Sequence, residues 1–230
     1  MSSNIHKTKE YFDANPTHFK HAVDEYHIMY KEAAERINKQ IKGNVLDVGS
    51  GGILNYDITK AKKVFLVDIT TANKERAAEN IIFVNGDIRK LGIKTQQVDI
   101  VIMQHLLHHL ADNTLQKTLK NLEEGFKETQ RVVKRGGKIM IVEGCVPPTL
   151  DYLQRVLFPL NKRLYRWLFS FPMVLQYSKE KITMELKKAG FDIESVEVIQ
   201  DGDILPIFGL KLARKYIPLK HYCIVAKKRS

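Results

Sequence analysis

The sequence predicts a doubly wound α/β domain with a sizeable core, and three observations carry that reading. Short, almost wholly apolar runs recur between residues 44 and 143, with helical patterns between them. The first run, Val45-Leu46-Asp47-Val48, breaks into the turn Gly49-Ser50-Gly51-Gly52. The second, Val64-Phe65-Leu66-Val67, closes on an acid, Asp68. Strands buried on both faces are expected to be continuously apolar, as these are.

Taken in chain order, residues 5–42 read as one or two helices with aromatics at helical spacing: Tyr11, Phe12, Phe19, Tyr26 and Tyr30. Pro16 interrupts them. Strands are expected near 44–48, 64–68, 81–84, 98–103 and 138–143. Helices are expected near 53–62, 71–79 and 113–134, the last stopping at Arg135-Gly136-Gly137. Ser178 is a candidate N-cap and Gly190 a candidate C′ residue for a helix over 178–189. Two further strands follow near 191–199 and 221–227.

The segment 146–177 starts with Val146-Pro147-Pro148, carries many aromatics and fits none of this alternation. It follows the fifth strand, so it would overhang the carboxyl edge, where open α/β folds bind ligands. It reads as a lid over a substrate, or else as a packing helix pair. Domain bounds follow: 1–42 as an N-terminal helical cover, 43–230 as the main domain, and 146–177 as the lid.

Composition narrows the class. Hydrophobic residues at 44% and charged residues at 27% fit a soluble globular protein. No apolar run approaches the ~20 residues of a membrane span. The polar start, Met1–Lys9, has no apolar signal core, so a cytoplasmic location is expected. Cys145 and Cys223 are expected to be reduced thiols. The net charge of +11 is uneven: residues 211–230 hold seven Lys/Arg and no acid. Arg155, Lys162, Arg163 and Arg166 interleave with Tyr165, Trp167 and Phe169. Such a face favours anionic partners, whether nucleic acid, membrane surface, acidic carrier or phosphorylated small molecule; it also fits a solvated surface.

The acids beside the first glycine and at the end of the next strand imply a nucleoside cofactor. Asp68 should accept from both ribose hydroxyls, at about the ~20-residue distance from Gly49 expected of a ribose acid. A dinucleotide site would need glycine at position 54, where Leu54 stands. Asp47 would repel a pyrophosphate but suits the ammonium end of an amino-acid cofactor. After the third strand, Asn85-Gly86-Asp87-Ile88 offers an acid for an adenine amino group, with the next N–H for the ring.

These elements, VLDVGSGG (45–52), LVDIT (66–70), NGDI (85–88), DIVIMQHLLHHL (99–110) and RVVKRGGKIMIVEG (131–144), resemble those of class I S-adenosylmethionine-dependent methyltransferases. The resemblance covers roughly residues 40–145. It implies a Rossmann-like seven-stranded sheet in order 3-2-1-4-5-7-6 with strand 7 antiparallel. It implies S-adenosylmethionine held by Asp47, Gly49, Ser50, Gly51, Asp68, Ile69, Asp87, Ile88 and Gln104. The chain departs from the family at Ile53, where a third glycine is usual.

A hydroxyl acceptor needs alignment with the activated methyl and a base for its proton. Strand 4 runs into Gln104-His105-Leu106-Leu107-His108-His109-Leu110, and strand 5 ends at Glu143. Adjacent strands lie about 4.8 Å apart, so the His108 region and Glu143 can converge. The -LHHL- and -VEG- elements resemble those of small-molecule O-methyltransferases acting on natural-product sugars. That resemblance implies His108 and Glu143 as the catalytic dyad, with His109 a further candidate. His105 has the spacing to face the pocket. The histidine run lacks an i, i+4 ligand pair, and no metal is expected. Tyr11, Phe12 and His18 are candidates to close over the methionine end.

The expected reaction is methyl transfer to a hydroxyl of a small apolar or acidic metabolite, free or carrier-bound. The apolar lid residues Phe158, Leu160, Leu164, Trp167, Phe169, Phe171 and Met173 favour an apolar acceptor. RNA methylation is disfavoured, because Met103-Gln104-His105-Leu106 stands where base N-methylating enzymes carry Asn/Asp-Pro-Pro-aromatic. Action on a lipid or quinone through peripheral membrane contact, and a non-catalytic S-adenosylmethionine-binding protein, are the remaining alternatives.

Overall fold

The apolar runs do form strands, and the computed structural model pairs them into one mixed sheet. It describes residues 3–70, 79–168, 172–200, 202, 204–207 and 210–229; the described side chains do not include those of Phe19, 166–168, 204–207, 210–212 and Lys215. The strands are β1 (Gly43–Val48), β2 (Ala61–Asp68), β3 (Ile81–Asn85), β4 (Val98–Gln104), β5 (Val133–Cys145), β6 (Phe191–Val198), β7 (Ile204–Ile207), β8 (Leu210–Ala213) and β9 (Lys220–Lys228). Seven of them lie in the order β3-β2-β1-β4-β5-β9-β6. β1 to β5 pair in parallel, and β9 runs antiparallel to both its neighbours. This is the expected topology, with β9 as its seventh strand. β7 and β8 pair antiparallel outside the sheet, a ribbon the sequence did not suggest.

Period-two alternation sends each strand's side chains to two cores. On one face Val45, Leu66, Ile102 and Met140 pack against α3 (His27–Gln40) through Met29, Ala33 and Ile37. On the other, Leu46, Val67, Val101 and Ile139 join Leu122 and Phe126 of α4 (Leu115–Val132) and Ile182 and Leu186 of α7 (Lys179–Lys188). Full burial of each such side chain stabilises by about 1.5–3 kcal/mol. As expected, Ser178 caps α7, accepting from the Lys181 N–H, and Gly190 follows with φ +92°.

Two expectations are corrected. The helix over 53–62 does not form. Gly49, Gly51 and Gly52 all have positive φ, and the Ile53 N–H closes a tight turn on the Ser50 carbonyl. Asp57 then holds the N–H and hydroxyl of Thr59, and β2 has begun by Ala61. Too little chain remains for a helix. Nor do Arg135-Gly136-Gly137 stop the preceding helix. α4 ends at Val132, and these residues sit in a register shift within β5, with Gly136 at φ +69°. A Cβ on Gly137 would lie 2.8 Å from the Asp99 carbonyl oxygen. The helix expected over 71–79 falls almost wholly outside the described residues, as do Phe169 and Phe171.

Two segments cross the carboxyl edge of the sheet. The first is α1 (Asn4–Ala14), followed by α2 (His18–Glu25). Buried Asn4 pins α1, its side-chain amide donating to the carbonyls of Ala111 (2.9 Å) and Met173 (2.8 Å). The second is the pair α5 (Pro148–Val156) and α6 (Phe158–Leu168). Asp151, fully buried on α5, accepts from the N–H and hydroxyl of Ser178 and pairs with Arg155 at 2.9 Å. One carboxylate thus ties α5 to the start of α7.

Candidate active site

A cavity of about 970 Å³ opens between the carboxyl ends of the strands and these crossing segments. That is the upper end of the ~300–1,000 Å³ usual for small-molecule sites. Its wall includes Asp68 and Asp87, His105 and His108, and Leu150 and Leu164.

Backbone amides hold the first of these acids. Asp68 accepts from the Gly51 N–H and the Thr70 N–H, both at 2.8 Å. Burial pushes its carboxyl up; those amides pull it back only in part. Both oxygens keep a lone pair for a ligand's hydroxyls. Gly49, Gly51, Ile69, Asp87, Ile88 and Gln104 also line the wall. Gly49, at φ +84°, is required for packing as well: a Cβ there would lie 2.7 Å from Leu106 Cδ1. Gln104 is fixed by a reciprocal pair with Asn55, donating to it at 2.8 Å. Asp87 is gripped by Arg89, which donates at 2.8 and 2.7 Å. Burial alone would raise the Asp87 carboxyl, but Arg89 outweighs it and holds it low.

Two expected members lie off the wall. Asp47 accepts a 2.5 Å hydrogen bond from the Tyr56 hydroxyl, and neither it nor Ser50 lines the cavity. Burial pushes the Asp47 carboxyl up to about 7, against the pull of the Tyr56 and Ser50 hydroxyls.

The histidines meet the second acid where β4 and β5 end. β4 stops at Gln104, and His105 turns the chain at φ +52° into the 3-10 turn Leu107–Leu110. A non-glycine residue in that region is uncommon and clusters at functional sites. The turn brings His108 Nδ1 to 2.8 Å from Glu143 Oε1, while Glu143 Oε2 accepts from the Leu107 N–H at 2.8 Å. A carboxylate only accepts, so His108 carries a proton on Nδ1, and in the neutral ring Nε2 is the acceptor. Burial would raise the Glu143 carboxyl; His108, His105 and the Leu107 amide outweigh it and hold it below its ordinary value.

His105 has company the sequence did not name. Its ring lies 5.2 Å from that of His221 and 5.6 Å from that of Tyr30, with Nε2 3.3 Å from Met29 Sδ. Burial and His221 lower it to about 3, so it stays neutral. His221 sits opposite Gly144 in the β5–β9 ladder, and the antiparallel return of β9 delivers it. Its sequence signal was a lone histidine leading into the last apolar run. His109 packs its ring 5.3 Å from Phe12; burial holds it well below its ordinary value. Phe12 and His18 line the cavity, and Tyr11 Oη lies 3.4 Å from His18 Nδ1. Ligating atoms of His105, His108 and Glu143 all lie within 4.8 Å of one another, a grouping that could hold a cation and that chain spacing did not reveal. Among the described residues, no helix is long and apolar enough to cross a membrane.

Residues 46–141 match a family model described as a methyltransferase domain. No curated protein sequence matches the chain. Among solved structures, it is similar to the protein named as the methyltransferase in a complex with the Trm112 methyltransferase activator of Haloferax volcanii. That match has TM-score 0.70 and 16% identity over 97% of this chain and 98% of the other. Geranyl diphosphate C-methyltransferase from Streptomyces coelicolor A3(2), solved with Mg2+, geranyl diphosphate and S-adenosyl-L-homocysteine, matches with TM-score 0.62. Its identity is 11% over 92% and 84% of the two chains. The [4+2]-cyclase SpnF matches with TM-score 0.58 and 13% identity over 86% and 80%. At such identities the structures speak for the fold alone, and the cyclase illustrates that one fold carries several chemistries.

Proposed function

We propose that this chain, whose residues 46–141 match a methyltransferase domain, is a class I, S-adenosylmethionine-dependent methyltransferase that methylates a hydroxyl of a small apolar or acidic molecule. The residues around Asp68 and Asp87 suit that cofactor. Asp68 offers an amide-anchored carboxylate to a ribose diol, and Asp87 and Ile88 face the adenine position. Gly49, Gly51, Ile69 and Gln104 complete the bed, while Asp47 and Ser50 shape the glycine turn from behind. When bound, S-adenosylmethionine would supply an activated sulfonium methyl group, with a neutral thioether as its leaving group.

His108 takes the acceptor's proton on Nε2 and later passes it to water. Glu143 holds the imidazole in that tautomer and stabilises the imidazolium that forms. The 2.8 Å contact between Nδ1 of His108, which lines the cavity, and Oε1 of the buried Glu143 is the observation that carries this reading. His109 packs against Phe12 instead of acting on the acceptor. Residues of α1 and α2, and of α5 and α6, line the same cavity and support their reading as its covers.

The test is His108→Ala, assayed for S-adenosylhomocysteine formation across a panel of hydroxylated acceptors. Loss of a general base lowers turnover by about 10²–10⁴-fold, with S-adenosylhomocysteine affinity unchanged. Full turnover in His108→Ala would remove the base from the account.

A further inference from the structure

The helix pair α5–α6 is apolar on two sides, which a surface helix of a water-soluble protein is not. Its inner side, through Leu150, Phe158, Leu164 and Tyr165, lines the cavity. Its outer side exposes Tyr152 (68%), Leu153, Val156, Leu157 and Leu160 (60%), none of which lines the cavity. Leu164, 48% exposed and also on the cavity wall, joins the two. An exposed apolar patch continuous with a ligand cavity calls for an occupant.

Charge identifies that occupant. No Asp or Glu occurs between Tyr152 and Lys179, whereas Arg155, Lys162, Arg163, Arg166 and Lys179 do. Asp151 pairs with Arg155 from beneath, and Arg163 stands exposed. Lys162 donates to the Asn113 carbonyl and Lys179 pairs with Glu180. Exposed apolar side chains with the exposed Arg163 among them, in an acid-free stretch of sequence, suit the headgroup boundary of an anionic bilayer.

We infer that the outer face of α5–α6 seats on an anionic phospholipid surface, and that the acceptor is a bilayer-resident amphiphile entering the cavity past Leu164. The second half rests on the proposed methyl transfer; the first does not.

The full-length protein is sedimented with vesicles of phosphatidylcholine alone and of phosphatidylcholine with phosphatidylglycerol, without cofactor. Wild type pellets with the anionic vesicles, less so as salt rises, and stays in solution with the neutral ones. Leu153→Glu and Leu160→Glu, both exposed and off the cavity wall, each weaken that binding about tenfold or more while S-adenosylhomocysteine binding is kept. Failure of wild type to bind anionic vesicles at low salt, or equal binding to neutral ones, overturns the surface. So does a wild-type dimer that the same substitutions make monomeric, because the face would then belong to a second copy. Methyl label from S-adenosylmethionine appearing in the organic extract of vesicle lipids from the host cell supports the acceptor class; label in water-soluble product alone overturns it. Vesicle binding without any turnover would sink the proposed reaction and leave the surface standing.

Discussion

Asp68 ends β2 and Glu143 lies near the end of β5, at the same edge of one sheet. Asp68 lines the cavity and Glu143 is fully buried off its lining, and their surroundings differ in kind. Asp68 is held by two backbone amides, and burial raises its carboxyl. Glu143 accepts from the His108 imidazole as well as from two amides, those of Leu107 and Gly144, and despite full burial the histidines and the Leu107 amide lower its carboxyl. Rigid amides leave an acid able to grip a neutral ligand's hydroxyls. A titratable neighbour makes the acid a partner in moving a proton. Under the proposed function one edge divides into a binding side, β1 to β3, and a transfer side, β4 and β5.

The substitution that tests this division most severely is Glu143→Gln. It removes the charge that stabilises the imidazolium, and turnover should fall by about 10²-fold or more. Kd for S-adenosylhomocysteine should be unchanged, as read by calorimetry. An equal loss in affinity would show that the two sides are not separable.

Next is Asp151→Ala, which acts on the cover of the transfer side. Arg155 and the buried Ser178 groups lose their common acceptor, at about 2–4 kcal/mol in unfolding free energy. Denaturant unfolding reads that loss. Turnover should suffer more than cofactor affinity, because α5–α6 overhang the acceptor end. A stability equal to wild type would mean that α5 is held by packing alone.

The smallest effect sharpens the comparison through an acid that belongs to neither side. Asp47 shares the edge but turns to Tyr56, and its carboxyl is raised from 3.8 to about 7. The folded state therefore binds a proton that the unfolded state releases, and this contribution to stability falls as pH rises from about 4 to about 7. Asp47→Asn keeps an acceptor for Tyr56 and removes the charge. Its Tm should exceed that of wild type at pH 8 and converge with it toward pH 4. A gap between the two Tm values that does not change with pH would contradict the assignment.

The sequence made the binding side far more legible than the transfer side. Parallel strands buried on both faces leave apolar runs, so β1, β2 and β4 stood out, as did the acid ending β2. Local chemistry also marked Ser178 and Gly190. Signals depending on several competing short-range bonds misled: three left-handed glycines and the Asp57–Thr59 turn cancelled a helix over 53–62. On the transfer side the strand ends were readable, and the resemblance pointed to His108 with Glu143. The return of β9 that sets His221 against His105 was not, nor was the tie from Asp151 to Ser178, because each joins residues remote in the chain. Outward Tyr152, Leu153 and Val156 were likewise hidden, since an apolar residue does not declare which side of a helix it takes.

The central claim is that Asp68 and its two amides form the grip for a sulfonium nucleoside. Titrating S-adenosylhomocysteine into wild type and Asp68→Ala by calorimetry tests it directly. The account predicts saturable uptake by wild type. It also predicts a loss of about 10²-fold or more in the variant, since two hydrogen bonds to a charged acceptor contribute about 1.5–3 kcal/mol each. No uptake by wild type, or equal uptake by both, would contradict it.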